Sequence, residues 1–249
     1  EGIQQVISWV KGVSSLPVLV KLTSHVQSIS LIGLAVQEGG GNGISAVNSF
    51  KGLAGIDLET LEPLPTLEGI STSPGITGGL IKPLAQYCVY ELCKNKEITI
   101  PVSGVGGVLN SQDALEYFLI GASTVQIATG VMFEGYRIIE ELNFGLSDFM
   151  EKKGFNNLED FRGKVLSKYV GTTKGLSRRQ QLLSNINPDL CTRCGRCYIS
   201  CRDGAYSAIN FDAARNLSVD KDKCVGCGLC EIVCPVPGAI YFTRNKDWE

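Results

Sequence analysis

The chain has 249 residues, 29 of them glycine, and is 44% hydrophobic. Glycine usage above the typical ~7% points to a folded protein rich in tight turns and excludes a disordered tail, and without a three-residue glycine period collagen is excluded too. The 23 basic and 25 acidic residues leave a formal charge of −2, with no basic stripe for nucleic acid.

Apolar runs such as Ser28–Val36 stop well short of the ~18–20 residues that cross a bilayer. Glu1 opens the chain with neither a basic nor an apolar leader segment, so no secretory signal is expected. The expectation is a cytoplasmic protein with no membrane or nucleic-acid partner.

In chain order, Ile3–Lys11 has helical spacing. Strand-like apolar runs follow at Pro17–Leu22, Gly43–Val47, Ile98–Ser103 and Thr124–Ala128, and helical spacing recurs at Val26–Glu38, Lys82–Lys94, Ser111–Leu119 and Gly135–Lys152. Near-continuous apolar strands alternating with helices predict a parallel sheet with right-handed crossovers. These are four β/α units behind one helix, whereas a closed (β/α)8 barrel needs eight and typically ~250 residues by itself. The expected fold class is therefore α/β, either half a barrel or a small open sheet over residues 1–154. A connector over 155–186 and a small cysteine-rich domain over 187–249 complete the expected organisation.

Glycine-rich turns border these units: Ser73–Gly79 before a helix, Ser103–Gly107 after a strand, and Thr129-Gly130 after another. Successive N–H groups at such turns can cradle a phosphate; singly, each is more often just a turn needing positive φ, and three in one βα series are better evidence for a phosphate site. No G-x-G-x-x-G with a trailing acid occurs, so a dinucleotide fingerprint is absent. Lys21 ends the first strand and Asn48-Ser49 the second. A lysine there meets a ligand or a rim carboxylate, and an asparagine serves a ligand amide or a turn. The sole histidine, His25, reads as a solvated loop residue, and no Ser/His/Asp arrangement forms around it.

Eight of the ten cysteines form two quartets: Cys191, Cys194, Cys197 and Cys201, then Cys224, Cys227, Cys230 and Cys234. Each reads C-x2-C-x2-C-x3-C, the bacterial spacing for two [4Fe–4S] clusters in which each fourth cysteine serves the other cluster. One expected ligand set is Cys191, Cys194, Cys197 and Cys234; the other is Cys224, Cys227, Cys230 and Cys201. Zinc sites and disulfides are the competing readings, disfavoured by two complete quartets in register and by the expected compartment. Short β-prone stretches, Ala205–Phe211 and Ala239–Phe242, follow the quartets. Cys88 and Cys93, on one predicted helix, read as small buried hydrophobes.

Taken together, Val20-Lys21-Leu22-Thr23, Asn48-Ser49, Gly75–Gly79 before Lys82-Pro83, Ser103–Gly107, Ile127–Met132, Gly135–Ile138 and Cys194–Cys201 resemble the dihydropyrimidine dehydrogenases, in particular the bacterial flavin and iron–sulfur subunit. The resemblance implies the C-terminal half of an FMN-binding (β/α)8 TIM barrel of the dihydroorotate-dehydrogenase type, followed by a bacterial ferredoxin-like 2[4Fe–4S] domain. It implies that Lys21 contacts the isoalloxazine, that Asn48 and Ser49 bind the pyrimidine, and that Thr77, Gly78, Gly106, Gly107 and Thr129 surround the FMN phosphate. The implied reaction is NAD-dependent reduction of the 5,6 double bond of uracil or thymine: flavin N5 gives a hydride to one ring carbon and a cysteine acid protonates the other. Electrons would come through the clusters from an FAD-carrying, NADH-oxidising partner subunit, in a hetero-oligomer. Two alternatives stand beside this: a dihydroorotate-dehydrogenase-like flavoprotein acting on another substrate, and a non-catalytic iron–sulfur electron carrier.

The departures from the family pattern are Ser24 and His25, where proline and asparagine are common. The family's cysteine acid belongs to a loop ahead of the helix that opens this chain, and neither Cys88 nor Cys93 can replace it. The chain is therefore expected to contain no catalytic acid of its own and to lack the N-terminal half of the barrel.

Overall fold

In the first part of the chain short parallel strands alternate with helices. Only the two central strands, Gly43–Ala46 and Val102–Val105, are buried along nearly their whole length, the two outer ones being partly exposed. The computed structural model describes residues 2–169 and 182–244, and the chain forms two compact units, Glu1–Tyr169 and Val170–Glu249.

In the first unit, α1 (Gly2–Val13) leads into β1 (Leu19–Leu22), α2 (Ile29–Glu38) and β2 (Gly43–Ala46). An excursion follows, carrying the two-residue strands β3 (Phe50–Lys51), β4 (Gly55–Ile56), β5 (Pro63–Leu64) and β6 (Gly75–Ile76). Then come α3 (Lys82–Lys94), β7 (Val102–Val105), α4 (Ser111–Leu119), β8 (Thr124–Gln126), α5 (Thr129–Glu134) and α6 (Ile138–Lys153). The strands β1, β2, β7 and β8 lie in that order in one sheet, and every pairing within it is parallel. The excursion makes two antiparallel ribbons, β3 with β6 and β4 with β5.

Local chemistry sets the boundaries. α2 begins three residues later than its apolar spacing suggests because the Ser28 side chain caps it, accepting from the Leu31 N–H. The expected strand Ile98–Ser103 is displaced to Val102–Val105. Pro101 has no N–H to donate; its carbonyl instead receives the Ile44 N–H at 2.9 Å. α4 opens on a reciprocal capping box between Asn110 and Asp113. The expected helix Gly135–Lys152 starts three residues later, as α6, and the short α5 ahead of it is not among the expected elements; Gly135, at φ 69°, separates the two.

The core of this unit joins Ile44, Val36, Val89 and Leu92 to Tyr117, Ile138 and Phe161, all nearly or fully buried. Part of the stretch expected as connector belongs to this core. Phe161 stacks on Phe155 at 5.4 Å and meets Phe149 and Phe118 edge-on. Burying four aromatic rings gains far more than a solvated linker would. Residues 170–181 of that expected connector lie outside the described residues.

The second unit contains β9 (Leu182–Ile186), α7 (Arg196–Gly204), β10 (Ile209–Phe211), β11 (Leu217–Val219), α8 (Leu229–Ile232) and β12 (Ile240–Arg244). β9 pairs antiparallel with β12, and β10 with β11. Its small core consists of Leu183, Ala208, Ile209 and Ile240 together with Cys197, Cys201, Cys224 and Cys230. Half of that core is cysteine, so whatever the thiols hold contributes to folding. The last residues of the expected connector, 182–186, instead form β9, an integral ribbon strand of this unit.

Candidate functional sites

Antiparallel pairing of β9 with β12 and of β10 with β11 places the two cysteine loops side by side, and the quartets do not stay separate. One cavity is lined by Cys224, Cys227, Cys230 and, from the first quartet, Cys201. The other is lined by Cys191, Cys194, Cys197 and, from the second quartet, Cys234. Each set takes three cysteines from one quartet and the fourth from the other, the arrangement by which two-cluster ferredoxins hold two cubanes.

The loops have the backbone such a group needs. Gly195, Gly226 and Gly228 take φ of 78°, 67° and 82°, and a Cβ on Gly226 would strike the Leu182 carbonyl oxygen. The Arg193 N–H donates to the Cys191 sulfur at 3.4 Å, and the Ala208 N–H to the Cys201 sulfur at 3.2 Å. The buried Ser184 hydroxyl lies 3.2 Å from the Cys230 sulfur. Burial pushes the Cys197 thiol up to about 11, and raises that of Cys230 as well. A thiolate there needs a metal to stabilise it.

The second site lies at the C-terminal ends of the parallel strands, where open and closed α/β sheets bind ligands. The Asn48 N–H donates to Leu22 O at 2.8 Å and the Val47 N–H to Val105 O at 3.0 Å, which locks the ends of β1, β2 and β7 in line. Strand register puts Lys21 in one row with Ser45, Ser103 and Thr124. That row is polar and internally bonded. Gln126 Nε2 donates to both Ser45 Oγ and Ser103 Oγ at 2.9 Å, and Thr124 Oγ1 donates to Ser103 Oγ at 2.7 Å. Lys21 and Asn48 are exposed, while Ser49 is half-buried against Gly75, where a Cβ would meet its hydroxyl.

Three of the glycine-rich segments converge. A Cβ on Gly107 would fall 2.6 Å from Lys82 Cβ and 2.9 Å from the Gly78 carbonyl oxygen, and one on Gly78 would fall 3.2 Å from a Thr129 methyl. Gly78, Gly106 and Gly107 have φ of 72°, 132° and 71°, conformations that L residues rarely adopt. Gly106 and Gly107 are buried, yet their N–H groups donate to nothing among the described residues. Unsatisfied buried donors are rare, and an anion bound at this turn would offer them acceptors. Thr77 sits exposed immediately before Gly78. The residues present thus fit an anionic group at this end of the sheet.

A rigid shell supports this loop. The Tyr117 hydroxyl, fully buried, donates to Gly106 O at 2.7 Å. Lys82 Nζ reaches Asp113 at 2.6 Å and Glu116 at 3.0 Å, and the Asp113 hydrogen bond holds its ammonium above the ordinary lysine range. Asp113 Oδ2 in turn accepts the Leu109 and Asn110 N–H groups. Of these, only the Asn110–Asp113 box has a sequence signature.

His25 is an exposed loop residue, as expected, and it also makes defined contacts. Its Nε2 accepts the Lys51 N–H at 3.2 Å, its ring lies 5.8 Å from that of Phe50, and Nδ1 faces Thr23 Oγ1 and Ser24 Oγ. With Nε2 accepting, the neutral ring carries its proton on Nδ1, and His25 braces the loop after β1 against β3. Cys88 is buried on α3, and Cys93 packs on Gly121 with Pro101 and Ser123 at the opposite, N-terminal end of the sheet. Burial pushes the Cys93 thiol up to about 12 and raises that of Cys88. Neither is a proton donor at the strand ends. No helix among the described residues is long and apolar enough to cross a membrane.

A four-stranded parallel sheet with a glycine-rich cradle at its strand ends, and in the same chain two crossed cysteine sets, define an α/β ligand-binding unit and an iron–sulfur module. Residues 3–150 match the dihydroorotate dehydrogenase family and residues 184–242 the 4Fe-4S dicluster domain. The chain belongs to the dihydroorotate dehydrogenase family and carries an iron–sulfur dicluster domain behind it. It is 37% identical over 203 residues to the NAD-dependent dihydropyrimidine dehydrogenase subunit PreA of Escherichia coli K12, covering 81% of this chain and 49% of that one. It is 36% identical over 166 residues to the dihydroorotate dehydrogenase B (NAD(+)) catalytic subunit of Pyrococcus horikoshii, covering 67% and 52%. A third relative, the chloroplastic dihydropyrimidine dehydrogenase (NADP(+)) of Arabidopsis thaliana, is 34% identical over 183 residues, 72% and 43% of the two chains. The chain spans about half the length of the curated relatives it matches.

Proposed function

We propose that this chain is part of a flavin-dependent oxidoreductase that reduces the 5,6 double bond of uracil or thymine. Electrons reach it through two [4Fe–4S] clusters from an FAD-carrying, NADH-oxidising partner subunit in a hetero-oligomer. The observation that carries this reading is the pairing, in one chain, of crossed cysteine cavities with a cradle of unpaired N–H groups at the strand ends. The name of the E. coli relative, an NAD-dependent dihydropyrimidine dehydrogenase subunit, supports the substrate class and the partner.

In this reading Cys191, Cys194, Cys197 and Cys234 hold one cluster, and Cys201, Cys224, Cys227 and Cys230 the other. Thr77, Gly78, Gly106, Gly107 and Thr129 surround an FMN phosphate, the glycine N–H groups donating to its oxygens. Bound FMN would supply two-electron hydride chemistry. Lys21 presents an ammonium at the end of the polar row, beside where the flavin ring system would lie, and favours negative charge developing there. The Asn48 carboxamide offers one acceptor and two donors to the amide edge of a pyrimidine, with the Ser49 hydroxyl beside it. The two cysteines outside the clusters lie on α3, so the proton for the second ring carbon comes from a cysteine acid outside these 249 residues.

The relative named as a dihydroorotate dehydrogenase B catalytic subunit supports a second reading, in which a different unsaturated pyrimidine is the substrate. Anaerobic assays of the native enzyme with NADH separate the two. We expect loss of uracil or thymine and no turnover of orotate or dihydroorotate; the opposite preference would replace the first reading by the second. The 249-residue chain alone is expected to give no uracil turnover, and an enzyme-like rate from it would contradict the assignment of the acid to another segment.

A further inference from the structure

The two cluster cavities are related by an internal repeat, and the repeat is broken at one buried position. The Cys191 N–H donates to Asn187 O at 3.0 Å, while the Asn187 N–H donates to Ala239 O at 2.9 Å. The Cys224 N–H donates to Asp220 O at 3.0 Å, and the Asp220 N–H to Ala208 O at 2.7 Å. Asn187 and Asp220 therefore play the same part, and each follows a ribbon strand. Three residues before them stand Ser184, opposite Phe242 in the β9–β12 pairing, and Leu217, opposite Phe211 in the β10–β11 pairing. The two positions are structurally equivalent down to the phenylalanine they face.

Their surroundings are equivalent too. Ser184 lines the cavity of Cys201, Cys224, Cys227 and Cys230, and Leu217 lines that of Cys191, Cys194, Cys197 and Cys234. Ser184 is only 4% exposed, and its hydroxyl lies 3.2 Å from the Cys230 sulfur. A buried hydroxyl without a partner is costly. A cluster-bound thiolate has no proton to give, so in the loaded protein Ser184 Oγ must be the donor and Cys230 Sγ the acceptor.

Backbone N–H···S contacts occur at both cavities, to Cys191 and to Cys201. The serine hydroxyl has no counterpart at the leucine position. Reducing a [4Fe–4S] cluster adds one electron, makes or breaks no bond, and increases the negative charge carried in part by its sulfurs. A hydrogen bond to a sulfur stabilises that more negative state and so raises the reduction potential.

We propose that the Ser184 hydroxyl is a positioning group that raises the potential of the cluster held by Cys201, Cys224, Cys227 and Cys230, and that Leu217 withholds the same device from its twin. This rests on the cluster assignment above. The asymmetry biases where an electron resides between two otherwise repeated sites, and hence the direction of the relay.

The test is an anaerobic dithionite titration of the full chain, followed by electron paramagnetic resonance, with iron and acid-labile sulfide measured on each sample. Ser184→Ala should lower one midpoint and leave the other in place. A hydrogen bond to a charged sulfur is worth roughly tenfold in an equilibrium; because it is made in both redox states and only its strengthening on reduction counts, the shift is at most about 59 mV for a one-electron couple. Ser184→Thr should restore the original value. Two unchanged midpoints with iron content intact, or two equal shifts, would overturn the proposal. If Ser184→Ala fails to assemble its clusters, Leu217→Ser decides: a raised midpoint for the other cluster supports the proposal, and no change refutes it. A wild-type chain without iron and sulfide would overturn the cluster assignment itself, and this proposal with it.

Discussion

Replacing Cys201 by alanine should cost about half of the iron, roughly four atoms of eight, and the cluster lost should be that of the second quartet. Cys201 lines the cavity formed by Cys224, Cys227 and Cys230, not the one that holds its three sequence neighbours. A reading in which each quartet served itself would make the opposite assignment. Paired variants distinguish the two. Cys201→Ala combined with Cys227→Ala should lose no more iron than either alone, because both act on one cluster. Cys201→Ala combined with Cys194→Ala should lose both clusters. The reverse pattern of additivity would show that the quartets do not cross. Because Cys201, Cys224 and Cys230 also belong to the small core of the second unit, losing that cluster should loosen it, measurable as a lower melting temperature.

The second large effect concerns the strand-end cradle. Gly107→Ala should weaken FMN binding by about 10-fold to 100-fold, the value of one or two charge-assisted hydrogen bonds at ~1.5–3 kcal/mol. The added methyl would meet Lys82 Cβ at 2.6 Å and the Gly78 carbonyl at 2.9 Å, on a backbone held at φ 71°. The loop must move, and the N–H of Gly107 moves with it. Gly154→Ala supplies the control: it too sits at positive φ, 69°, but with nothing within 4 Å of the new methyl. It should carry a similar backbone cost and leave FMN content unchanged. Equal FMN retention in Gly107→Ala and in the native chain, read by flavin absorbance after gel filtration, would remove these glycines from the phosphate site.

Much of this organisation is legible in the sequence, for identifiable reasons. Quartet spacing is a local property dictated by iron–sulfur chemistry, so the cysteines announce themselves without a fold. The β/α alternation is likewise local, and α3 and α4 coincide with their expected bounds because a proline at the first turn and a capping box mark their starts. What escapes the sequence is chosen by distant partners. β7 shifts because Pro101 offers a carbonyl to Ile44; residues 155–169 join the core because Phe161 finds three other rings. The ribbons of the 50–76 excursion are only two residues long each and carry no periodicity to detect. In the candidate sites, Lys21, Asn48 and the glycines stand at strand ends as read. The residues that fix them, Tyr117, Lys82, Asp113 and Gln126, are reached only through tertiary contacts. Ser184 is the sharpest case, because its role appears only when the two halves of the repeat are superposed.

The most direct test of the account is the composition of the chain purified under anaerobic conditions: iron, acid-labile sulfide and zinc by elemental and chemical analysis, and flavin released by denaturation. The account predicts about eight iron and eight sulfide per chain, together with FMN and no stoichiometric zinc. A colourless protein containing zinc and releasing no flavin would contradict it.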